Sequence, residues 1–180
     1  MTDLHTISQL KALSNFFAAR NAAELEAAYH ELTAWVQQPA PVVASWQAVE
    51  FSFNRLFVGP RAPVAPPFAS VYLEAEPQLM GRSTMQVRDL YELAGLQSPL
   101  KNKVPEDFIS YELDGLRQLS VALSQVPSTE MGDIRHFLLH NHMQQWLPRF
   151  IDRIRSTEGV HEAILVGVDC LAACLMLETA

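Results

Sequence analysis

Apolar residues return at steps of three and four along this 180-residue chain, and that rhythm leaves room for little besides helix. Leu4, Ile7, Leu10, Leu13, Phe16 and Phe17 set it at the start. The alternation of period two that a half-buried strand needs never persists, and no internal repeat is visible. The expected fold is all-α: a single-domain helical bundle over residues 1–180, long enough to bury a core.

Punctuation divides the rhythm into helices. Asn21, with Glu24 three residues on, reads as the N-cap of "AAELEAAYHELTAWV", and Pro39 and Pro41 end that unit. "VASWQAVEFSFNRLF" is expected to be helical up to Gly59-Pro60. "GRSTMQVRDLYELAGL" follows, with Ser83 or Thr84 as its cap and Gly95 as the left-handed residue at its end. "KNKVPEDFISYELDGLRQLSVALSQ" is expected to start a helix with Pro105 in its first turn. Gln125 to Asp133, "QVPSTEMGD", is the expected hinge. Beyond it, helix broken at Pro148 leads to the apolar closing helix "AILVGVDCLAACLML". Trp35, Trp46 and Trp146 fall on apolar faces and are expected in the core.

One stretch breaks the pattern. Pro60, Pro63, Pro66 and Pro67 lie within eight residues of "RLFVGPRAPVAPPFASVYLE", Arg55 to Glu74. So many fixed backbone angles make a loop stiff before anything binds it.

Composition narrows the function. The formal net charge of −7 argues against nucleic acid and leaves open a partner carrying positive charge. The amino terminus lacks the basic start and apolar run of a secretory signal, and the closing apolar run is too short to span a bilayer and contains Asp169. No membrane insertion is expected, and the expected location is the cytoplasm. Cys170 and Cys174 lie four apart within that run and read as small apolar side chains on one helix face.

Catalytic signals are missing. His136 and His140 share a helix face at zinc-helix spacing, but no glutamate lies between them and no third ligand is near in sequence. Ordinary polar histidines are expected, and no metal. There is no G-x-S-x-G, no Cys with a partnering His and no phosphate loop, and seven glycines are few for one. An enzyme and a cofactor are not expected. The acids of "PEDF" have a simple role at a helix start, favouring the positive end of its dipole.

Four segments in this order are similar to the TorD/DmsD/NarJ family of chaperones for molybdenum-cofactor oxidoreductases. They are "RLFVGP" with "APPFASVYL" (Arg55 to Leu73), "LMGRSTMQVRDLYELAGL" (Leu79 to Leu96), "VPEDFISYEL" (Val104 to Leu113) and "HMQQWLPRF" (His142 to Phe150). Together they cover roughly residues 50 to 150. Family members commonly carry His after the Pro-x-Asp, where this chain has Phe108.

The resemblance implies an all-helical chaperone that binds the twin-arginine leader and apoprotein of such an oxidoreductase, of the dimethyl sulfoxide or trimethylamine N-oxide reductase type, and delays export until cofactor is inserted. An assembly factor of the nitrate-reductase type, with a client that stays in the cytoplasm, is the alternative within the family. A small hydrolase or nucleotide-using enzyme is the alternative outside it. A leader offers two arginines and then an apolar stretch, so its receptor needs carboxylates beside a rigid apolar groove. On this reading Leu56, Phe57, Pro66, Pro67 and Tyr72 line the groove, Glu106 and Asp107 sit at its charged end, and Pro105 and Phe108 belong to the same leader-binding set. Gly59 and Pro60 shape the loop. The expected hinge and the family's habit of exchanging segments leave both a monomer and a domain-swapped homodimer open.

Overall fold

The computed structural model describes residues 4–36, 40–76, 79–97 and 103–177, and those residues form helices without a strand. Helix α1 (Leu4–Ala18) turns Leu10, Leu13, Phe16 and Phe17 inward, the three-four step of the sequence. The Asn21 side chain accepts from Glu24 N at 2.9 Å and starts α2 (Ala22–Thr33) as its spacing requires. Ser45 caps α3 (Trp46–Phe57) in the same way. A single turn, α4 (Ser70–Leu73), leads to α5 (Arg82–Leu93) and the long α6 (Ile109–Gln125). Then come α7 (Thr129–His136), a π-helical turn (Phe137–Met143), α8 (Gln144–Arg155) and α9 (Glu162–Leu177).

Helix α1 is the spine. It lies along α6 and packs against α2 and α9. A Cβ on Gly167 of α9 would meet Phe16 Cε1 at 2.5 Å, so only glycine lets the two helices come this close. Phe17, Phe57 and Phe150 bring α1, α3 and α8 together, with ring centroids 5.8 Å apart for Phe17–Phe57 and 5.7 Å for Phe57–Phe150. Burying each such ring is worth about 1.5–3 kcal/mol, which makes this junction a main source of cohesion.

Several boundaries differ from the expectations. Helix α5 starts at Arg82 with Gly81 at the cap position, and neither Ser83 nor Thr84 caps it. The Glu74 carboxylate instead accepts from Ser83 N and Ser83 Oγ, both at 2.8 Å. Gly95 does take the left-handed conformation, with φ of 66°. Helix α6 starts at Ile109, so Pro105 precedes it and Phe108 is its N-cap residue.

The expected hinge is largely helix. Only residues 126–128 separate α6 from α7, and the Ser128 hydroxyl accepts from Met131 N. Pro148 does not break its helix, because α8 runs through it. The missing Pro148 N–H would have met the Gln144 carbonyl, where the π turn gives way to α8, and the irregularity falls upstream instead. Trp146 is fully buried and Trp46 partly so, but Trp35 is 42% exposed, just past the end of α2. Pro39 lies outside the described residues.

Candidate peptide-binding groove

The proline-rich loop is tied down at both ends. Where it leaves α3, Val64 N donates to Arg55 O at 3.2 Å and Ala65 N to Leu56 O at 2.8 Å. Gly59, at φ 127°, makes the reversal, a conformation that side chains disfavour. At the far end Phe68 and Phe108 form an antiparallel bridge: Ala69 N donates to Asp107 O at 3.1 Å and Ile109 N to Pro67 O at 3.0 Å. The two rings face each other with centroids 5.3 Å apart. The loop is therefore half of a two-segment ridge completed by the segment before α6.

That ridge is one wall of a groove of about 770 Å³. Phe57, Val58, Pro67, Phe68, Val104, Phe108 and Tyr111 make this wall apolar and mostly aromatic. The opposite wall comes from α1 and α2. It presents Asn15 and Ala18 from the first, Ala19 just past its end, and Glu24, Ala27, Ala28 and Glu31 from the second. The four α2 positions follow a three-four spacing, so they form one stripe of small residues between two carboxylates. The groove is thus apolar on one side and acidic on the other.

The expected site residues divide around it. Phe57, Pro67 and Phe108 meet in the groove. Leu56 is fully buried in the core below. Pro66 and Pro105 are half-buried and do not line the groove. Tyr72 points away from it and stacks on Trp146 with centroids 5.6 Å apart. Burial pushes the Tyr72 hydroxyl up to about 12, against the opposing pull of Arg153. Gly59 shapes the loop, and Pro60 beside it is exposed and joined by a cis peptide bond.

The two acids expected at the charged end are inside the protein. Asp107 is fully buried; Oδ2 accepts from Ser70 N and Oδ1 from Thr84 Oγ1, both at 2.8 Å. It joins α4, α5 and the bridge segment. Glu106, 2% exposed, accepts from Arg88 Nη2 at 2.9 Å. Neither carboxylate faces the groove. An acid pair before a helix reads equally well as a dipole partner or a surface receptor, and nothing in the sequence shows that α4 and α5 close over it.

Glu112 is the buried acid that sequence reasoning passed over. Within the first turn of α6, Glu112 Oε1 accepts from His142 Nε2 at 2.6 Å and Oε2 from Trp146 Nε1 at 3.0 Å. His142 and Trp146 are four apart and straddle the end of the π turn. Burial drives the Glu112 carboxyl above its ordinary range, opposed by His142. Burial by itself would lower His142, but the adjoining Glu112 carboxylate raises it overall. The available signal was a glutamate among Ile109, Leu113 and Leu116, on the face that has to be buried.

The histidine pair and the cysteines complete the polar inventory. The His136 and His140 rings lie 4.4 Å apart, and His140 Nδ1 is 3.1 Å from Gln144 Oε1. Among the described residues no group of three or more His, Cys, Asp or Glu is arranged to hold a metal ion. Cys170 and Cys174 are not joined in a disulfide, and the second is buried. No helix among the described residues is long and apolar enough to cross a membrane.

The class defined by this architecture is an all-α bundle with an open, two-natured groove across one face. Residues 10–152 match the family described as nitrate reductase delta subunit, and the chain belongs to that family, the TorD/DmsD/NarJ family. It is similar to the Tat proofreading chaperone DmsD of Salmonella typhi, 34% identical over 122 residues that cover 63% of this chain and 54% of the relative. It is also similar to chaperone protein TorD of Psychrobacter sp. strain PRwf-1, 30% identical over 132 residues that cover 71% of this chain and 59% of the relative. The chain spans about half the length of the curated relatives it matches. A solved structure from Archaeoglobus fulgidus, described as a redox enzyme maturation protein, shares the fold with a TM-score of 0.66 at 20% identity, covering 99% of this chain and 97% of that one.

Proposed function

We propose that this chain is a maturation chaperone that binds the twin-arginine leader of a molybdenum-cofactor oxidoreductase precursor, of the dimethyl sulfoxide or trimethylamine N-oxide reductase type. The groove carries the reading. Its aromatic wall is tied into the fold by the Phe68–Phe108 bridge, so an apolar segment meets a surface already in place. Binding then costs little ordering on the receptor side. Phe57, Pro67 and Phe108 receive the apolar stretch of the leader, and holding it there keeps the precursor from export while cofactor is inserted. Kinship with relatives named DmsD and TorD supports the same reading.

Affinity capture from the native host tests it. The tagged chain should recover a molybdoenzyme precursor with its leader intact. A leaderless version of that precursor, expressed in its place, should be recovered far less. Equal recovery of the two would remove the leader from the account.

A further inference from the structure

The acidic wall of the groove already holds an arginine of its own. Arg20 lies in the link between α1 and α2, and its Nη2 donates to Glu24 Oε1 at 3.0 Å. Glu24 is held in place by other bonds: Oε2 accepts from Arg20 N at 2.9 Å and Oε1 from Asn21 Nδ2 at 3.2 Å. This carboxylate is fixed in position and ionised, and hydrogen bonding to Arg20 holds it below the ordinary glutamate range. The Arg20 side chain is 83% exposed, so its guanidinium can leave without opening the core.

We propose that Glu24 and Glu31 are the receptors for the leader's arginine pair, and that Arg20 is an internal occupant which a leader arginine displaces. This rests on the leader-binding reading above and supplies the charge partner that the buried Glu106 and Asp107 leave unassigned. Glu24 and Glu31 are seven residues apart on α2, so they share a face and stand about 10 Å apart along it. Consecutive side chains of an extended segment diverge to opposite sides, which suits two separated carboxylates better than one cluster. Glu31 is exposed, and Asn15 Nδ2 donates to its Oε2 at 3.1 Å. With the arginines on α2, the apolar residues that follow them face the aromatic wall.

Displacement sets a threshold. A lone cation gains nothing over Arg20, because it exchanges one exposed ion pair for another. A ligand that also covers the aromatic wall gains that contact in addition. Arg20 thereby discriminates against basic peptides that lack an apolar stretch.

The test is calorimetric titration of a synthetic peptide with two consecutive arginines and an apolar stretch, beside its lysine-pair counterpart. Arg20→Gln should bind the arginine peptide about two- to five-fold more tightly, the value of an exposed ion pair removed from competition. In the Arg20→Gln background, Glu24→Gln keeps an acceptor for the residue 20 N–H and should remove that gain, weakening binding about two- to five-fold, with a smaller loss for the lysine peptide. An arginine-peptide affinity unchanged in Arg20→Gln, or a gain there that Glu24→Gln does not remove, while substitutions on the aromatic wall still weaken binding, would overturn this assignment and leave the leader reading standing. Binding of neither peptide to any folded variant would overturn both.

Discussion

Thr84 Oγ1 donates to Asp107 Oδ1 at 2.8 Å, and neither residue meets solvent. The same carboxylate takes the Ser70 amide at the start of α4, so one side chain fixes two helices against the bridge segment. In Asp107→Asn the Thr84 hydroxyl can turn to accept, and the loss should be about 1 kcal/mol of charge-assisted bonding. Asp107→Ala leaves two buried donors without an acceptor and should cost about 2–5 kcal/mol. Urea denaturation measures both. An alanine variant within about 0.5 kcal/mol of wild type would show that the staple carries little.

The Glu112–His142 pair predicts a pH dependence. Both groups bind protons more tightly when folded than their ordinary values of 4.5 and 6.5. A histidine raised in this way stabilises the fold fully below 6.5, and that contribution is lost as pH rises through the folded value. The raised glutamate slopes in the same direction from 4.5 upward. Stability should therefore fall as pH rises past neutrality. Urea midpoints collected from pH 6 to 9 should decline for wild type and less steeply for Glu112→Gln, which keeps hydrogen-bonding groups for His142 and Trp146 but no longer titrates or raises His142. Parallel curves would remove the pair as the cause.

Two glycines predict opposite signs. Gly167→Ala drives a methyl against Phe16 Cε1, 2.5 Å from the new carbon, and should cost about 1–3 kcal/mol through overpacking. Gly132→Ala, inside α7 with no neighbouring atom within 4 Å, should gain about 0.5–1 kcal/mol from helix propensity. Thermal melts of the pair decide whether α9 lies against α1 as closely as described.

The helices were legible because burial imposes the three-four step, and Asn21 and Gly95 marked ends by chemistry that acts within a few residues. The groove was legible only in part. Phe57, Pro67 and Phe108 sat in segments that drew notice, whereas the α2 stripe looked like any solvated helix face. Whether a carboxylate is inside or outside depends on what folds over it. Asp107 and Glu112 are buried by helices distant in sequence, and no local pattern encodes that. The π turn escaped for a related reason. Its one-residue excess is compatible with the same apolar spacing, and Pro148 drew attention downstream of it.

The most direct measurement compares two added charges, one on α3 and one at its C-cap. Val58 is 63% exposed and lines the groove, and Phe51, two turns earlier on α3, is 75% exposed and does not. Val58→Lys and Phe51→Lys add the same charge to positions that the core does not need. In calorimetric titration of the arginine leader peptide at moderate salt, where distant charges are screened, Val58→Lys should weaken binding roughly ten-fold or more by placing a cation on the apolar wall. Phe51→Lys should remain within about two-fold of wild type. Equal affinities for the two variants, both folded, would contradict the claim that this groove is where the leader binds.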